Sequence, residues 1–210
     1  LKAKLDAPSL KVTRGLHDPG ARIKALVNAT DRAGVFAWRI TRDGLAYSSR
    51  RLGEISDTIV DMDHGLTWGF NWDLGPFEIW DALGVKETVE RMKAEGVEPA
   101  PWVGEMLAGG VTAFYRDGAQ RREFYDPRTK VYVPIPRPES FLVLREIKKR
   151  APAVFENAGA SMIDLGDGVA CVEFHSALQP KLNPIDGDIM EVMHKAIALA
   201  EKDFRGLVIH

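Results

Sequence analysis

IVDMDHGLTWGFNWDLGPFEIWDALG, residues 59–84, is the stretch that decides the fold. Apolar positions within residues 59–66 predict one helix, and Gly75-Pro76 marks a stop followed by a new start. Residues 77–83 supply the apolar positions of a second helix, and Gly84 predicts its end. The expected core of the protein is therefore a mainly α-helical bundle.

Apolar residues at helical spacing predict further helices on both sides of this segment. Gly96 predicts the end of the helix that follows Gly84. The predicted helical stretches begin at Asp18-Pro19, begin near Asp31 and run through Leu45, and span residues 54–60, 85–95 and 101–107.

A small β-hairpin is predicted inside the helical part. Asp117-Gly118 lies between two aromatic-bearing segments, residues 112–116 and 120–125, and both turn residues tolerate positive φ. The prolines of residues 131–138 argue against a regular strand there. A helix from Phe141 onward is then expected to end in the basic run Lys148-Lys149-Arg150, read as a solvated helix end with an anion site as the alternative.

The pattern changes after residue 157. Two strands, residues 162–165 and 169–174, are predicted around the turn Gly166-Asp167-Gly168. A helix over residues 189–200, capped by Asp186 or Asp188, leads to a strand at Leu207. The expected domains are therefore residues 1–157, helical, and residues 158–210, a β/α segment.

Composition excludes several classes of function. The chain has 210 residues, a net charge of −2 and a pI near 6.3, which gives no electrostatic reason to bind nucleic acid. No apolar run approaches the ~20 residues of a membrane helix, and the first residues lack the apolar core of a signal peptide. A folded cytoplasmic protein is expected, with the single Cys171 as a buried strand residue.

The segment Gly75-Pro76-Phe77-Glu78-Ile79-Trp80-Asp81 resembles a motif of the carboxy-terminal helical domain of 3-hydroxyacyl-CoA dehydrogenases. The resemblance implies that the domain 1–157 has that helical fold. It also implies a structural, non-catalytic role for the motif residues Gly75, Pro76, Phe77, Glu78 and Asp81.

The last part of the chain resembles the opening of the enoyl-CoA hydratase, or crotonase, fold, including its Pro180-Lys181-Leu182-Asn183 element. The resemblance implies that Lys181 and Leu182 lie at the rim of a CoA site. A plain loop lysine beside a proline is the alternative for Lys181.

Together the two resemblances imply a fragment of a bifunctional fatty-acid β-oxidation enzyme. Trp38-Arg39 stands where a first copy of the helical domain carries Asn-Arg, so the chain resembles a non-catalytic second copy. NAD, a nucleotide-binding domain and a first helical copy would then lie outside this chain, and the parent would act on acyl-CoA. The isolated chain is expected to be able to form a homodimer.

The residues present offer no complete catalytic site. No G-x-G-x-x-G turn follows a strand, so no NAD-binding residue is assigned. His64 lies near Asp61 and Asp63, but no second His or Cys stands at metal-ligand spacing, so no metal is expected.

The competing hypothesis is a free-standing helical binding or oligomerisation module. It would use aromatic residues as an exposed contact surface, although such a density of aromatics is more typical of a core. These residues are Trp68, Phe70, Trp72, Phe77 and Trp80.

Overall fold

The computed structural model describes residues 7–119, 121–138, 140–176 and 182–210. Contacts divide the chain into two compact units, Leu1–Pro136 and Arg137–His210. The described residues are mostly helical, with one small sheet in each unit. This confirms the coarse expectation of a mainly helical chain with some strands, whereas the assignment to known domain types stays a prediction.

Local signals account for where the helices of the first unit begin. The side chains of Asp18, Asp31 and Thr58 each accept a hydrogen bond from a backbone N–H in the first turn of the following helix. Prolines at the first helical position support other starts. The helices are α1 Pro8–Arg14, α2 Pro19–Val27, α3 Arg32–Arg51, α4 Ile59–Thr67, α5 Pro76–Leu83, α6 Val85–Ala94 and α7 Pro101–Ala108.

Two details of these helices differ from expectation. Helix α1 was not predicted, because its short sequence offers few apolar positions. The helix predicted over residues 54–60 is wrong: Gly53 has φ of +85° and Leu52 bridges Ser56, so the chain turns there. Helix α4 begins only after Thr58, its cap.

The sheet of the first unit is an antiparallel meander of β1 Tyr115–Asp117, β2 Arg122–Asp126 and β3 Val131–Pro134. The first two strands confirm the predicted hairpin. The expectation that prolines exclude a strand over residues 131–134 is wrong, because β3 pairs with β2. It is an edge strand with Pro134 at its last position, where a missing N–H is tolerated.

The core of the first unit lies between its helices and this sheet. Phe77, Trp80 and Phe114 are fully buried, and the rings of Phe77 and Phe114 meet edge to face with centroids 5.0 Å apart. Helix α5 contributes both Phe77 and Trp80. Helix α5, the second helix of residues 59–84, therefore lies at the centre of the bundle.

The second unit packs one long helix on a four-stranded sheet. The elements are α8 Leu144–Arg150, β4 Phe155–Glu156, β5 Ala160–Gly166, β6 Val169–Phe174, α9 Gly187–Asp203 and β7 Gly206–Ile209. The strand order is β4-β5-β6-β7, antiparallel except for the parallel pair β6 and β7. Asp186 caps α9, and Cys171 is buried in β6, as the sequence predicts.

The boundary between the units differs from the sequence-based one. The units divide between residues 136 and 137, whereas the sequence predicts a change between 157 and 158. The reason is pairing within the second unit: β4 pairs with β5, and Lys148 of α8 forms an ion pair with Glu173 of β6. Residues 137–157 therefore belong structurally with the sheet that follows them.

Candidate functional site

A buried carboxylate on α4 caps the neighbouring helix α5. Asp63 is 2% exposed, and its Oδ1 accepts a hydrogen bond from the Phe77 N–H at 2.9 Å. Its Oδ2 accepts from the Glu78 N–H at 3.2 Å and from the Tyr115 hydroxyl at 2.8 Å. The cap residue Gly75 has no side chain that could accept from the free N–H groups at the start of α5. Asp63 accepts from them instead.

A second carboxylate, Asp81 on α5, binds the backbone at the start of strand β1. Its two oxygens accept hydrogen bonds from the backbone N–H groups of Phe114 at 2.7 Å and of Tyr115 at 2.8 Å. Tyr115 therefore donates to both carboxylates, from its hydroxyl to Asp63 and from its backbone to Asp81.

An ion pair borders these buried groups. The Arg122 guanidinium donates to Glu78 at 2.8 Å and lies over the Tyr115 ring, 4.2 Å from the centroid. Glu78 also accepts from the Gly75 N–H. We call Asp63, Glu78, Asp81, Tyr115 and Arg122 the carboxylate cluster.

Burial dominates the electrostatics of the cluster. It raises the pKa of Asp63 to about 7, against the opposing effect of the hydrogen bonds from Phe77 and Tyr115. It likewise raises the pKa of Asp81 to about 6, despite the bonds from Phe114 and Tyr115 and the charge of Arg122. The pKa of Tyr115 is also raised, first by burial and then by the charge of Asp63.

The sequence-predicted motif residues lie in and around this cluster. Pro76 is the first residue of α5, Phe77 is fully buried, and Glu78 and Asp81 belong to the cluster. A Cβ added at Gly75 would lie 2.3 Å from the Asp63 Cβ, so only glycine permits the approach of α4 to α5. These contacts lie within the fold, and the structural role of the motif residues stays a prediction.

Sequence reasoning missed the partners Asp63 and Tyr115. In the sequence, Asp63 stands out only as a neighbour of His64, and Tyr115 only as a hairpin residue. The two are 52 positions apart, so no local spacing links them. Strand β1 brings Tyr115 against the carboxylates.

The first unit also contains an apolar cavity of about 550 Å³ between α3 and α4. Ile40, Gly44 and Tyr47 of α3 line one side, and Gly65 and Leu66 of α4 line the other. Of the described residues in its lining, Asp61 alone is charged. Such a lining suits an apolar occupant.

A second cavity has lining residues in common with this one. The second cavity, of about 410 Å³, lies beside α2 and shares Thr41, Trp72 and Ile79 with the first. Trp72 is 52% exposed, so it forms part of the protein surface as well as of both linings.

The aromatic residues of residues 59–84 divide into two groups. Trp68 is 78% exposed and Phe70 is 72% exposed, and the Trp68 ring stacks on His64 with centroids 3.7 Å apart. Phe77 and Trp80 are fully buried. The proposed contact surface of aromatics therefore includes Trp68, Phe70 and Trp72, whereas its other two members are core residues.

Trp38, the residue for which the resemblance implies a departure from Asn, lies on α3. It is buried, its Nε1 donates to both oxygens of Glu95 at 2.8 Å, and Arg91 lies over its ring at 3.7 Å. Arg42 also donates to Glu95. This arrangement joins α3 to the end of α6 and leaves no amide at the position.

The two residues assigned to a CoA rim are only partly described. Leu182 is 76% exposed and lies in a turn, and Lys181 lies outside the described residues. The following Asn183 accepts from the Ser176 N–H and donates to the Phe174 carbonyl, so it ties the loop to the end of β6. Their assignment stays a prediction.

The described residues do not fit NAD. The strand–helix–strand unit β6, α9 and β7 has the order of a nucleotide-binding unit, but residues 175–186 between β6 and α9 contain no glycine. A pyrophosphate needs a glycine-rich turn there for close backbone approach. Among all residues that the structure describes, no group of three His, Cys, Asp or Glu side chains is placed to hold a metal.

A known protein is clearly similar in sequence to this chain. The chain is 38% identical over 208 residues to the "Probable 3-hydroxyacyl-CoA dehydrogenase" of Bacillus subtilis (strain 168). The alignment covers 99% of this chain and 26% of the relative, so the chain spans about a quarter of the length of the curated relative that it matches. No protein-family model matches the chain, and no solved structure matches it.

This similarity agrees with the resemblance read from Gly75 to Asp81. It extends along nearly the whole chain, across both units. It leaves the hydratase fusion and the second-copy assignment as predictions. Among the described residues, no helix is both long and apolar enough to cross a membrane.

Proposed function

We propose that this chain is a structural and docking segment of a larger 3-hydroxyacyl-CoA dehydrogenase. The single observation behind the proposal is the 38% identity along nearly the whole chain to a quarter of a probable 3-hydroxyacyl-CoA dehydrogenase. The parent would oxidise 3-hydroxyacyl-CoA with NAD bound by another part of the polypeptide. We further propose that the parent is fused to an enoyl-CoA hydratase, of which residues 158–210 are the opening part.

The geometry of the carboxylate cluster supports a non-catalytic role for this segment. Asp63 accepts three hydrogen bonds from protein groups, and Asp81 accepts two. Asp63 and Tyr115 are also buried, at 2% and 8% exposure. A general base must reach its substrate within hydrogen-bond distance, and these groups reach only other parts of the fold.

The test compares this chain with its full-length parent. NADH formation from a 3-hydroxyacyl-CoA and loss of enoyl-CoA absorbance are measured for both proteins at equal molar concentration. We expect both activities in the parent and neither in the 210-residue chain. Dehydrogenase activity in the chain alone would refute the non-catalytic assignment, and a parent without hydratase activity would refute the fusion.

The second candidate function, a free-standing binding or oligomerisation module, is favoured by the exposed rings of Trp68, Phe70 and Trp72. The two candidates differ in the reading frame around the chain. A coding sequence that continues on both sides supports the enzyme segment, and a start and a stop codon directly at its ends support the module.

A further inference from the structure

The first unit contains a further cavity, of about 470 Å³, which we call the α2–α6 cavity. It lies beside α2 and the first turns of α6, and Trp38 of α3 also lines it. Most of the polar side chains in its lining can donate hydrogen bonds, which favours a ligand rich in acceptors. The polar side chains are those of Lys24, Asn28, Glu87, Thr88 and Arg91.

Thr88 is a buried polar residue of this lining. It is 5% exposed, and its hydroxyl forms no hydrogen bond with any residue in the described part of the chain. An unpaired buried hydroxyl lowers the stability of a protein, so such groups are rare unless something outside the chain pairs with them. Its place in a cavity wall therefore indicates a ligand.

The position of Arg91 is fixed by several contacts. Its Nη1 donates to the Val27 carbonyl at 3.1 Å and to Asn28 Oδ1 at 3.3 Å, and the guanidinium lies 3.7 Å from the centroid of the Trp38 ring. Among the described residues, nothing accepts a hydrogen bond from its Nη2. Because Asn28 Oδ1 faces Arg91, the amide nitrogen of Asn28 is also available to donate. A guanidinium oriented in advance suits the oxygens of a phosphate.

Lys24 and the start of α6 add further donors. Lys24 forms no ion pair with any described residue, although Glu87 lines the same cavity. Helix α6 begins after Gly84, and no side chain caps its first N–H groups. These free N–H groups and the partial positive charge at the start of a helix both favour an anion.

The charges of the cavity favour an anion over a cation. Two of the described lining residues are basic, and one, Glu87, is acidic. Glu87 lies against the backbone at Gly84, because a Cβ added there would be 2.6 Å from the Glu87 Oε2. Glu95 lies 3.6 Å from Arg91, but it also pairs with Arg42 at 2.7 Å. An anion in the cavity would thus meet two cations and compete with one carboxylate.

We propose that the α2–α6 cavity binds the phosphate group of a phosphate ester. A phosphate presents acceptor oxygens and negative charge to the unpaired donors of the lining. The cavity has the size of a small-molecule site, which is about 300–1,000 Å³, and Val27 and Leu83 supply an apolar wall for the organic part of the ester. Nucleotides and CoA both carry such a group. The inference goes beyond the proposed function, because a structural and docking segment needs no ligand.

The first experiment is isothermal titration calorimetry of the 210-residue chain with inorganic phosphate, AMP and CoA, in a phosphate-free buffer of low ionic strength. We expect saturable binding of AMP or CoA that is tighter than that of inorganic phosphate, and the tighter ester identifies the source of the phosphate. Lys24→Met should weaken the binding roughly tenfold, because it removes a charged donor.

Lys11→Met is the matched control for this variant. Both lysines lie in the last turn of a short helix, but Lys11 is outside the cavity lining. A lysine that only complements the end of its helix would act alike at the two positions. We expect Lys11→Met to bind AMP and CoA as the unchanged chain does.

Thr88→Val separates binding from stability. It should weaken binding roughly threefold, whereas the ligand-free chain should be as stable as before or more stable, because an unpaired hydroxyl is removed. Thr13→Val is the control, since Thr13 is similarly buried but its hydroxyl donates to the Leu10 carbonyl at 3.3 Å. That variant should lower the unfolding midpoint and leave binding unchanged.

Glu87→Gln should have the opposite effect on binding. It removes the carboxylate that competes with the anion, so AMP and CoA should bind several-fold more tightly. Glu90→Gln, at an exposed carboxylate of α6 outside the lining, should leave the affinity unchanged. Weaker binding by Glu87→Gln would contradict the proposal, because it would mean that Glu87 holds the ligand.

Two further results overturn the proposal. One is the absence of binding for all three compounds at millimolar concentrations. The other is an affinity that is the same for Lys24→Met, Thr88→Val, Glu87→Gln and the unchanged chain. Circular dichroism of each variant confirms that it is folded. Neither result affects the activity comparison between chain and parent, so failure of this inference and failure of the proposed function are distinguishable.

Discussion

Asp63 supplies to α5 the cap that the sequence of α5 lacks. The cap position holds Gly75, which has no side chain, and the carboxylate comes from α4 instead. Its position requires a glycine at 75, because any Cβ there would overlap Asp63. The two residues therefore depend on each other: the glycine makes room for the carboxylate, and the carboxylate replaces the missing cap.

The buried Asp63 predicts a decrease in stability with rising pH. Its pKa in the folded protein is about 7, whereas an unfolded aspartate has a pKa of about 3.9. Between these values the folded state binds more protons than the unfolded state, so the free energy of unfolding falls as pH rises. For one group the slope reaches about 1.4 kcal/mol per pH unit. Asp81 contributes with the same sign up to about pH 6.

Urea unfolding of Asp63→Asn between pH 4 and pH 7 measures this effect, with those limits set by the two pKa values at about 3.9 and about 7. We expect a smaller decrease in the free energy of unfolding than in the unchanged protein. Asp73→Asn, at an exposed carboxylate in the loop before α5, should keep the full decrease. Equal slopes for all three proteins would show that Asp63 is ionised throughout.

At the scale of elements, sequence patterns predicted those helices and strands that carry their own signals. Asp18-Pro19, Asp31, Gly75-Pro76 and Gly84 mark ends of α2, α3 and α5 by local chemistry, and each was placed correctly. The Asp117-Gly118 turn likewise predicted the hairpin of β1 and β2 from local sequence.

The elements that were missed depend on distant partners. Strand β3 forms because β2 pairs with it. The prolines in its sequence argue against a strand, so the sequence alone does not predict this pairing. The carboxylate cluster joins α4, α5 and β1 across 52 positions of sequence, so no window of a few residues reveals it. The exposure of Trp68 and Phe70 beside the buried Phe77 and Trp80 is likewise a property of the packed unit.

The contact between α4 and α5 gives a prediction about Gly75. Gly75→Ala should lower the free energy of unfolding by about 1–3 kcal/mol, because the new Cβ would lie 2.3 Å from the Asp63 Cβ. Gly75 has φ of −80°, so the cost is steric and not conformational. Thermal or urea unfolding measures it.

Gly104→Ala, a substitution inside helix α7, is the matched control. Its added Cβ meets nothing within 4 Å, so helix propensity should raise stability by about 0.5–1 kcal/mol. A neutral result for Gly75→Ala would mean that α4 and α5 can separate without loss.

At the scale of the whole molecule, each unit has a hydrophobic core of its own. The larger core is built from residues of the first unit, and the smaller one packs α9 on β5 and β6 in the second. The boundary between the units can therefore be tested by comparing the stability of truncated chains.

We predict that residues 137–210 unfold at a higher urea concentration than residues 158–210. The shorter piece loses β4, which pairs with Met162 and Ser161, and the ion pair between Lys148 and Glu173. Unfolding followed by circular dichroism compares the two pieces. Equal midpoints would instead support the boundary at residue 157 that the sequence predicts.

Strand β7 has a consequence for handling the isolated chain. It pairs with β6 on one side, stands last in the strand order, and leaves Val208 and Ile209 about half exposed. Such an edge offers unpaired N–H and C=O groups to a strand of another molecule. Addition of β7 to the opposite edge strand, β4, of another molecule is head to tail and does not close, so it yields open-ended polymers of increasing length. Turbidity that grows with time and is suppressed by Val208→Lys would therefore arise from this strand.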